Sequence, residues 1–190
     1  MRGLRFVRLA ALVFVSLAVA AVVRADDYQV DSMHSAVTFK VSHMGLSWVH
    51  GRFNEFSGNF TIDADLAKTS FALSIKPGSI DTGIAKRDDH LKSGDFFNVA
   101  QYPDFSFKST SVKPIRDGYE VTGELNLHGQ KKTITFPLLG GRKAEFPKGV
   151  QRTGYSTELV IKRSEFGMDK MREMIGDEVR IAVSFEGTKR

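Results

Sequence analysis

The chain has 190 residues, no cysteine and a formal net charge of +5, with 27 basic against 22 acidic side chains. Four of the arginines lie in the first 25 residues, which hold no acidic side chain, so residues 26–190 carry a formal charge of only +1. This near-neutral remainder argues against general nucleic-acid binding, and the lack of cysteine excludes disulfides and a lipoprotein anchor. The remaining 165 residues are enough for one domain with its own core.

The first 25 residues have the three-part pattern of a secretory signal peptide. Three arginines give a basic start, residues 9–23 are uncharged and mostly apolar, and Val23 and Ala25 supply the short residues of a cleavage site. A membrane anchor is the alternative, but this run of 15 residues is shorter than the roughly 20 that a spanning helix needs. We therefore expect cleavage after Ala25, no stable membrane anchor, and one domain over residues 26–190.

Apolar and polar residues alternate through most of residues 26–190, and a period of two indicates half-buried β-strands. In the first such run, Val37, Phe39 and Val41 share one face. The pattern predicts eight strands, at residues 35–42, 54–62, 69–77, 104–112, 119–127, 132–139, 153–162 and 179–186. In the fourth run the alternation slips near Ser109, which indicates a β-bulge.

Turn-forming pairs such as Asp117-Gly118 and Gly140-Gly141 separate the runs. Consecutive strands with one apolar face predict an antiparallel meander, and eight of them can close into a barrel that leaves no sheet edge exposed. The predicted fold class is therefore all-β: an eight-stranded antiparallel barrel with one or two short helices. A barrel of this size is either filled by its own side chains or holds one small ligand.

Residues 82–94 interrupt the alternation and predict a short, highly charged helix across the barrel. We expect Thr82 to cap its start, Gly94 to end it, and Ile84 and Leu91 to face inward. Loops normally run over the surface and are polar, yet three connections are unusually apolar, at residues 44–49, 91–97 and 166–175.

The apolar connections have three readings. In a solid barrel they are lids on an ordinary core, or they bind another protein, as in an interaction or stress protein. In a hollow barrel they form the mouth of a lipid pocket. The six methionines favour the pocket, because methionine adapts to irregular apolar partners.

Four stretches resemble, in order, the YceI-like family of secreted, lipocalin-like proteins. They read YQVDSMHSAVTFKVSHMGLSWVHGRFNEFSGNF, KRDDHLKSGDFFNVAQYPDFSFKST, VTGELNLHGQKKTITFPL and RSEFGMDKMREMIGDEVRIAVSFEG, and the resemblance covers nearly all of residues 28–187. It implies an extended barrel in the bacterial periplasm whose tunnel holds a polyisoprenoid, an isoprenoid quinone or a fatty amide. It also implies a carrier, storage or stress-response role with no firmly attached enzymatic activity. A monomer and a homodimer are the alternatives for its assembly.

A long apolar ligand is best hidden by the inward strand faces and the apolar connections, since each exposed methylene costs about 0.8 kcal/mol. The residues expected to contact its chain are Phe39, Val41, Met44, Leu46, Trp48, Phe56, Phe60, Phe71, Leu73, Ile75, Leu91, Phe97, Phe105, Phe107, Leu125, Leu127, Phe136, Leu159, Ile161, Phe166, Met168, Met171, Ile181 and Val183. The candidates for contact with a polar head group are His43, Arg87, His90 and Arg163. For Arg87 and His90, on the predicted helix, the alternative is a solvated helix face with local ion pairs. For Arg163 the alternative is a salt-bridge cluster at the rim of the barrel.

The histidines and hydroxyls form no recognisable metal or hydrolytic pattern. His34, His43 and His50 are nine and seven residues apart, which matches no common set of metal ligands. Gly-x-Ser-x-Gly is absent, and adjacent residues such as His34 and Ser35 point to opposite faces of a strand. We therefore expect no metal, no cofactor other than a bound lipid, and no enzymatic activity; an enzyme of lipid or quinone metabolism is the alternative.

Overall fold

The alternating segments form β-strands in the computed structural model, which describes residues 25–190. Within that range the strands are β1 Asp26–His43, β2 Ser47–Phe53, β3 Phe56–Ile62, β4 Ser70–Ile75, β5 Ile80–Asp81, β6 Phe105–Ile115, β7 Gly118–Leu127, β8 Gln130–Glu145, β9 Gln151–Lys162 and β10 Ile175–Lys189. Helix α1, Ala85–Lys92, follows β5, and short 3₁₀ turns lie at Leu66–Lys68, Pro77–Ser79 and Arg163–Phe166. The expected signal peptide lies outside the described residues apart from Ala25.

Eight of these strands close a barrel in the order β1, β3, β4, β6, β7, β8, β9, β10, and β10 pairs back to β1. Every neighbouring pair is antiparallel. The predicted eight-stranded barrel is therefore confirmed, and each expected strand overlaps one strand of the ring. The bulge expected near Ser109 is confirmed too, because the register of β6 against β7 shifts between Ser109 and Ser111.

Strand β1 pairs with two strands along one edge. Residues 26–29 pair with β3, and residues 37–43 pair with β2. Its register against β10, on the other edge, shifts between Asp31 and Ala36, and such a shift bends a strand. The barrel is thus extended on one side by β2, to which the two-residue strand β5 adds a further edge.

Strand β2 differs from the expectation of a loop over residues 44–49. Ser47, Val49 and Phe53 lie on the cavity side of this strand, and the residues at alternate positions between them take the outer face. The apolar Trp48 on the outer face obscured the period of two. The structure therefore replaces the second half of the expected loop by a strand and leaves a turn at residues 44–46.

Helix α1 is shorter than expected and starts differently. Ile84 occupies the position before its first turn and makes no capping side-chain hydrogen bond. The expected cap, Thr82, instead donates through its N–H and Oγ1 to Oδ1 of the buried Asp88. Ile84 is 53% exposed, contrary to expectation, whereas Leu91 packs against the core as expected.

Buried side chains form two clusters inside the barrel. One cluster contains Val37, Phe53, Ile80, Phe105, Leu127, Ile161, Phe166 and Met168, and the other contains Tyr28, Phe60, Phe71, Val112, Val121, Leu138 and Tyr155. In the second cluster Tyr28 stacks on Phe60 with ring centroids 4.8 Å apart, and Tyr155 meets Phe60 edge-on at 5.8 Å. Aromatic pairs of this kind add about 0.5–1.5 kcal/mol each beyond the area that they bury. They fill the barrel at the end where β1 begins.

Candidate functional site

The barrel contains a cavity of about 610 Å³. The cavity extends from the aromatic end, which the second cluster fills, to the opposite end, where β1 finishes. This volume lies in the range that binding sites for small molecules usually have. Strand β10 lines the cavity from Ile175 to Phe185. At about 3.3 Å per residue and a tilt of about 40°, that stretch corresponds to a depth of about 25 Å. The cavity therefore suits a long ligand better than a compact one.

The cavity wall is mainly aliphatic and aromatic, and its titratable side chains are His43, Arg87, His90 and Arg163. These four lie at one end. His43 pairs in register with Ser47 and with Ile175, and the Arg163 guanidinium donates to the carbonyl of Ile175. We call this end the mouth.

Most residues expected to contact an apolar ligand lie on the cavity wall. They are Phe39, Val41, Phe60, Phe71, Leu73, Ile75, Leu91, Phe97, Phe105, Phe107, Leu125, Leu127, Phe136, Leu159, Ile161, Met168, Met171, Ile181 and Val183. All four expected head-group residues are on the wall as well. The placement agrees with the expected strand faces, while contact of these side chains with a ligand stays a prediction.

Three residues of the expected apolar loop lie outside the wall. Met44 and Leu46 belong to the turn before β2 and are 55% and 82% exposed. Trp48 points outward from β2, because Ser47 and Val49 on either side of it take the cavity face. These three side chains therefore lie beside the mouth, outside the cavity.

Two further expected wall residues lie behind the wall. Phe166 is fully buried in the first core cluster, and Phe56 packs against that cluster from β3. Both side chains pack within the core, so neither borders the cavity.

Several wall residues were not expected. Val121, Ile134, Leu138, Val179 and Phe185 share the alternation of the expected residues, so the sequence pattern contained the signal for them. Phe53 and Val49 come from β2 and were missed together with that strand. Phe96 belongs to the apolar connection at residues 91–97 that the sequence set apart, but no periodic pattern there assigned it to the wall.

Arg163 acts as a clamp on the connection between β9 and β10. It is buried, and its guanidinium donates to the carbonyl oxygens of Met168, Lys170, Ile175 and Gly176. A guanidinium has five N–H donors, so these contacts use most of its capacity. Burial lowers the pKa of Arg163, which nevertheless stays protonated. Its position favours a structural role over contact with a head group.

His90 links α1 to the connection beside it. Its Nε2 atom lies 3.0 Å from Oδ2 of Asp95, and Nζ of Lys170 lies 3.5 Å from Oδ1 of the same carboxylate. The hydrogen bond with His90, together with the charge of Lys170, holds the pKa of Asp95 below its ordinary value. All three side chains are about half exposed, so the cluster is a surface ion pair at the rim.

Arg87 and His43 remain the best-placed polar groups of the mouth. The Arg87 Nε and Nη2 atoms donate to Oγ1 and the carbonyl of Thr82, both at 2.7 Å, which leaves three N–H donors. Among residues 25–190 neither side chain has a carboxylate within ion-pair distance. A cation held in this way can donate to a phosphate or carbonyl oxygen at the mouth.

Residues 25–190 contain no group of three or more His, Asp or Glu side chains arranged to hold a metal ion. No helix within the same range has the length and apolar character needed to cross a membrane.

A closed antiparallel barrel around an apolar cavity with a polar mouth defines the lipocalin-like class of β-barrels. Within that class the chain belongs to the YceI-like family, because the YceI-like domain matches residues 28–187. Protein YceI of Escherichia coli is 37% identical over 169 residues, which cover 87% of this chain and 88% of that protein. The family resemblance found in the sequence is thus confirmed.

Two solved structures show the same fold. Burkholderia cenocepacia BcnA superimposes with a TM-score of 0.74 at 27% identity, covering 83% of this chain and 98% of BcnA. A polyisoprenoid-binding domain from Saccharophagus degradans, implicated in plant cell wall breakdown, superimposes with a TM-score of 0.66 and covers 86% of this chain and 98% of that domain. Its identity to this chain is 20%, so this likeness shows the fold.

Proposed function

We propose that the protein binds one long apolar lipid, a polyisoprenoid or an isoprenoid quinone, along its barrel and carries or stores it in the periplasm. The observation that supports this most is the deep apolar cavity with its titratable side chains gathered at the mouth. The Saccharophagus degradans domain of the same fold is described as polyisoprenoid-binding. The ligand of this chain is inferred from the cavity together with that description.

The cavity wall offers such a ligand burial without hydrogen bonds. Each methylene removed from water contributes about 0.8 kcal/mol, and side chains such as Leu125, Leu159 and Ile181 lie along the path of the chain. The head group then stays at the mouth, beside Arg87 and His43. A charged or carbonyl head group fits there, because burying it at the aromatic end would leave it without partners.

In this role the protein performs no catalytic step. Among residues 25–190 no carboxylate lines the wall, and the His90–Asp95 pair is half exposed at the rim instead of buried against a bound chain. The solid-barrel alternative needs an interior filled by side chains, which the cavity volume disfavours. Export to the periplasm rests on the signal-peptide pattern. Cleavage of that signal predicts a mature protein that begins at Asp26, which a measurement of the intact mass tests.

A pair of adjacent substitutions on β9 tests the proposal. Leu159 lines the cavity, whereas Val160 points outward and is 54% exposed. Leu159→Trp should block the channel and lower uptake of a solubilised polyprenol by tenfold or more, while Val160→Trp should bind like the wild type. Circular dichroism establishes that both variants fold, and Val183→Phe provides a milder block. Normal uptake by a folded Leu159→Trp protein would contradict binding in the cavity.

A further inference from the structure

Large apolar side chains are exposed around the mouth of the cavity. Met44 and Leu46 in the turn before β2 are joined by Met171 and Met174 of the neighbouring connection, and Trp48 follows at the start of β2. A hydrogen bond from the Met44 N–H to the Met174 carbonyl holds the two segments together. We call these five residues the apolar rim. Together they expose large apolar side chains at one end of the barrel, and exposed apolar patches mark interaction sites.

From the tip of the apolar rim towards the barrel, the side chains change from aliphatic to aromatic to cationic. Leu46 is the most exposed member, at 82%. Trp48 lies two residues further along, roughly 7 Å in an extended chain. Its ring is flanked by the cations of Lys40, 5.3 Å away, and Arg180, 5.2 Å away. These two cations are paired in register across β1 and β10, and among residues 25–190 neither has a carboxylate within ion-pair distance.

We propose that the apolar rim docks onto a lipid bilayer, so that the mouth opens against the membrane and the cargo enters without crossing water. The order of side chains matches a membrane interface. Leu46 and the methionines reach the acyl boundary, Trp48 sits at the level of the head groups, and Lys40 and Arg180 meet the phosphates. The inference extends the proposed function by naming where cargo is loaded, and it rests on that function only for the cargo.

A bilayer fits this surface better than a protein partner. The rim lies beside the opening of an apolar cavity that its own Met171 lines, so a protein seated on it would obstruct the path of the ligand. Acidic side chains, among them Asp169, Glu173 and Glu178, lie on the same end of the barrel, so insertion of apolar side chains must dominate over charge. We therefore expect binding to neutral vesicles that anionic lipid strengthens only moderately.

The chain contains a single tryptophan, so the fluorescence of Trp48 reports docking directly. Mature protein is mixed with vesicles of phosphatidylcholine, alone or with phosphatidylglycerol. We expect a blue shift of the emission and quenching by brominated lipids. Leu46→Asp should lower the partition coefficient by about tenfold, because burial of one leucine side chain is lost. Lys40→Glu should weaken binding mainly to the vesicles with phosphatidylglycerol.

Met33→Asp is the matched control, because Met33 is 88% exposed in the first half of β1, away from the mouth. It should bind vesicles like the wild type. Uptake of polyprenol in a vesicle-free assay should be unchanged in Leu46→Asp, which separates docking from cavity binding. An unchanged emission with either vesicle, an equal loss in Met33→Asp, or a rim-dependent dimer in sedimentation without vesicle binding would overturn the proposal.

Discussion

The ring of Phe39 lies over the backbone of Gly51, the residue paired with it on the neighbouring strand. A Cβ atom at Gly51 would overlap the Phe39 ring and approach Cγ2 of Thr82. Gly51 occupies an inward position of β2 between Val49 and Phe53. The missing side chain therefore gives the Phe39 ring its place on the wall beside the open cavity.

Replacement of this glycine should crowd the wall. Gly51→Val should lower the free energy of unfolding by about 1–3 kcal/mol, the usual cost of overpacking, and should reduce ligand uptake by pushing Phe39 inward. Urea unfolding measures the first effect. Gly78→Ala is the control, because a Cβ atom there meets nothing within 4 Å. Equal stability of Gly51→Val and the wild type would show that the wall yields more easily than the contact indicates.

Loss of the Arg163 clamp should destabilise the connection between β9 and β10. Arg163→Met leaves four carbonyl oxygens without their donor, and we expect a loss of about 2–3 kcal/mol in stability. Amide hydrogen exchange should rise first at residues 167–175. Arg172→Met is the control, since Arg172 is 56% exposed and its ion pairs contribute little. Unaltered exchange in Arg163→Met would exclude the clamp.

Stability should fall in acid partly through Asp31. The Arg152 guanidinium, 2.7 Å away, and then His34 lower the pKa of Asp31 to about 2 from an ordinary value of 3.8. A lowered folded-state pKa contributes stability above the unfolded-state value and loses it as the pH falls through the folded-state value. Asp31→Asn should therefore cost about 1 kcal/mol at pH 7, and its difference from the wild type should close as the pH falls from 3.8 to about 2.

Chemical denaturation at several pH values checks this prediction. Asp89→Asn is the control, because the Asp89 side chain is 80% exposed and its partner Lys92 comes no closer than 3.8 Å. A stability difference between Asp31→Asn and the wild type that persisted unchanged below pH 2 would show that the ion pair with Arg152 is not its source.

Trp48 should distinguish cavity binding from events at the rim. Its ring lies on the outer face with Lys40 and Arg180, so an apolar ligand in the cavity should leave its emission unchanged. This reverses the expectation from the sequence, which placed Trp48 in the pocket. A titration with solubilised polyprenol checks it, and a large spectral change at saturation without vesicles would put the ligand next to the indole.

Sequence periodicity predicted the barrel because nearly every strand has one dry face. The same parity correctly oriented residues such as Phe107, Leu125 and Leu159. The alternation did not predict β2, because the outward Trp48 is apolar and the inward Ser47 is polar. At these two positions the hydrophobic pattern is the opposite of the direction in which the side chains point. Apolar character alone cannot separate a cavity wall from an exposed rim.

The roles of the polar residues depend on distant parts of the chain. The partners of Arg163 are backbone carbonyls, which no side-chain pattern reveals. Asp88 accepts hydrogen bonds from Thr82 and so holds the backbone that leads into α1, instead of facing solvent. Such contacts follow from the path of the backbone, which sequence spacing does not specify.

Native mass spectrometry of protein purified from the periplasm, followed by extraction and identification of bound lipid, tests the central claim most directly. We predict a stoichiometric polyisoprenoid or isoprenoid quinone on the wild type and on Val160→Trp, and its loss from Leu159→Trp. A ligand-free mass for the wild type, together with refusal of added polyprenols and quinones, would contradict the account.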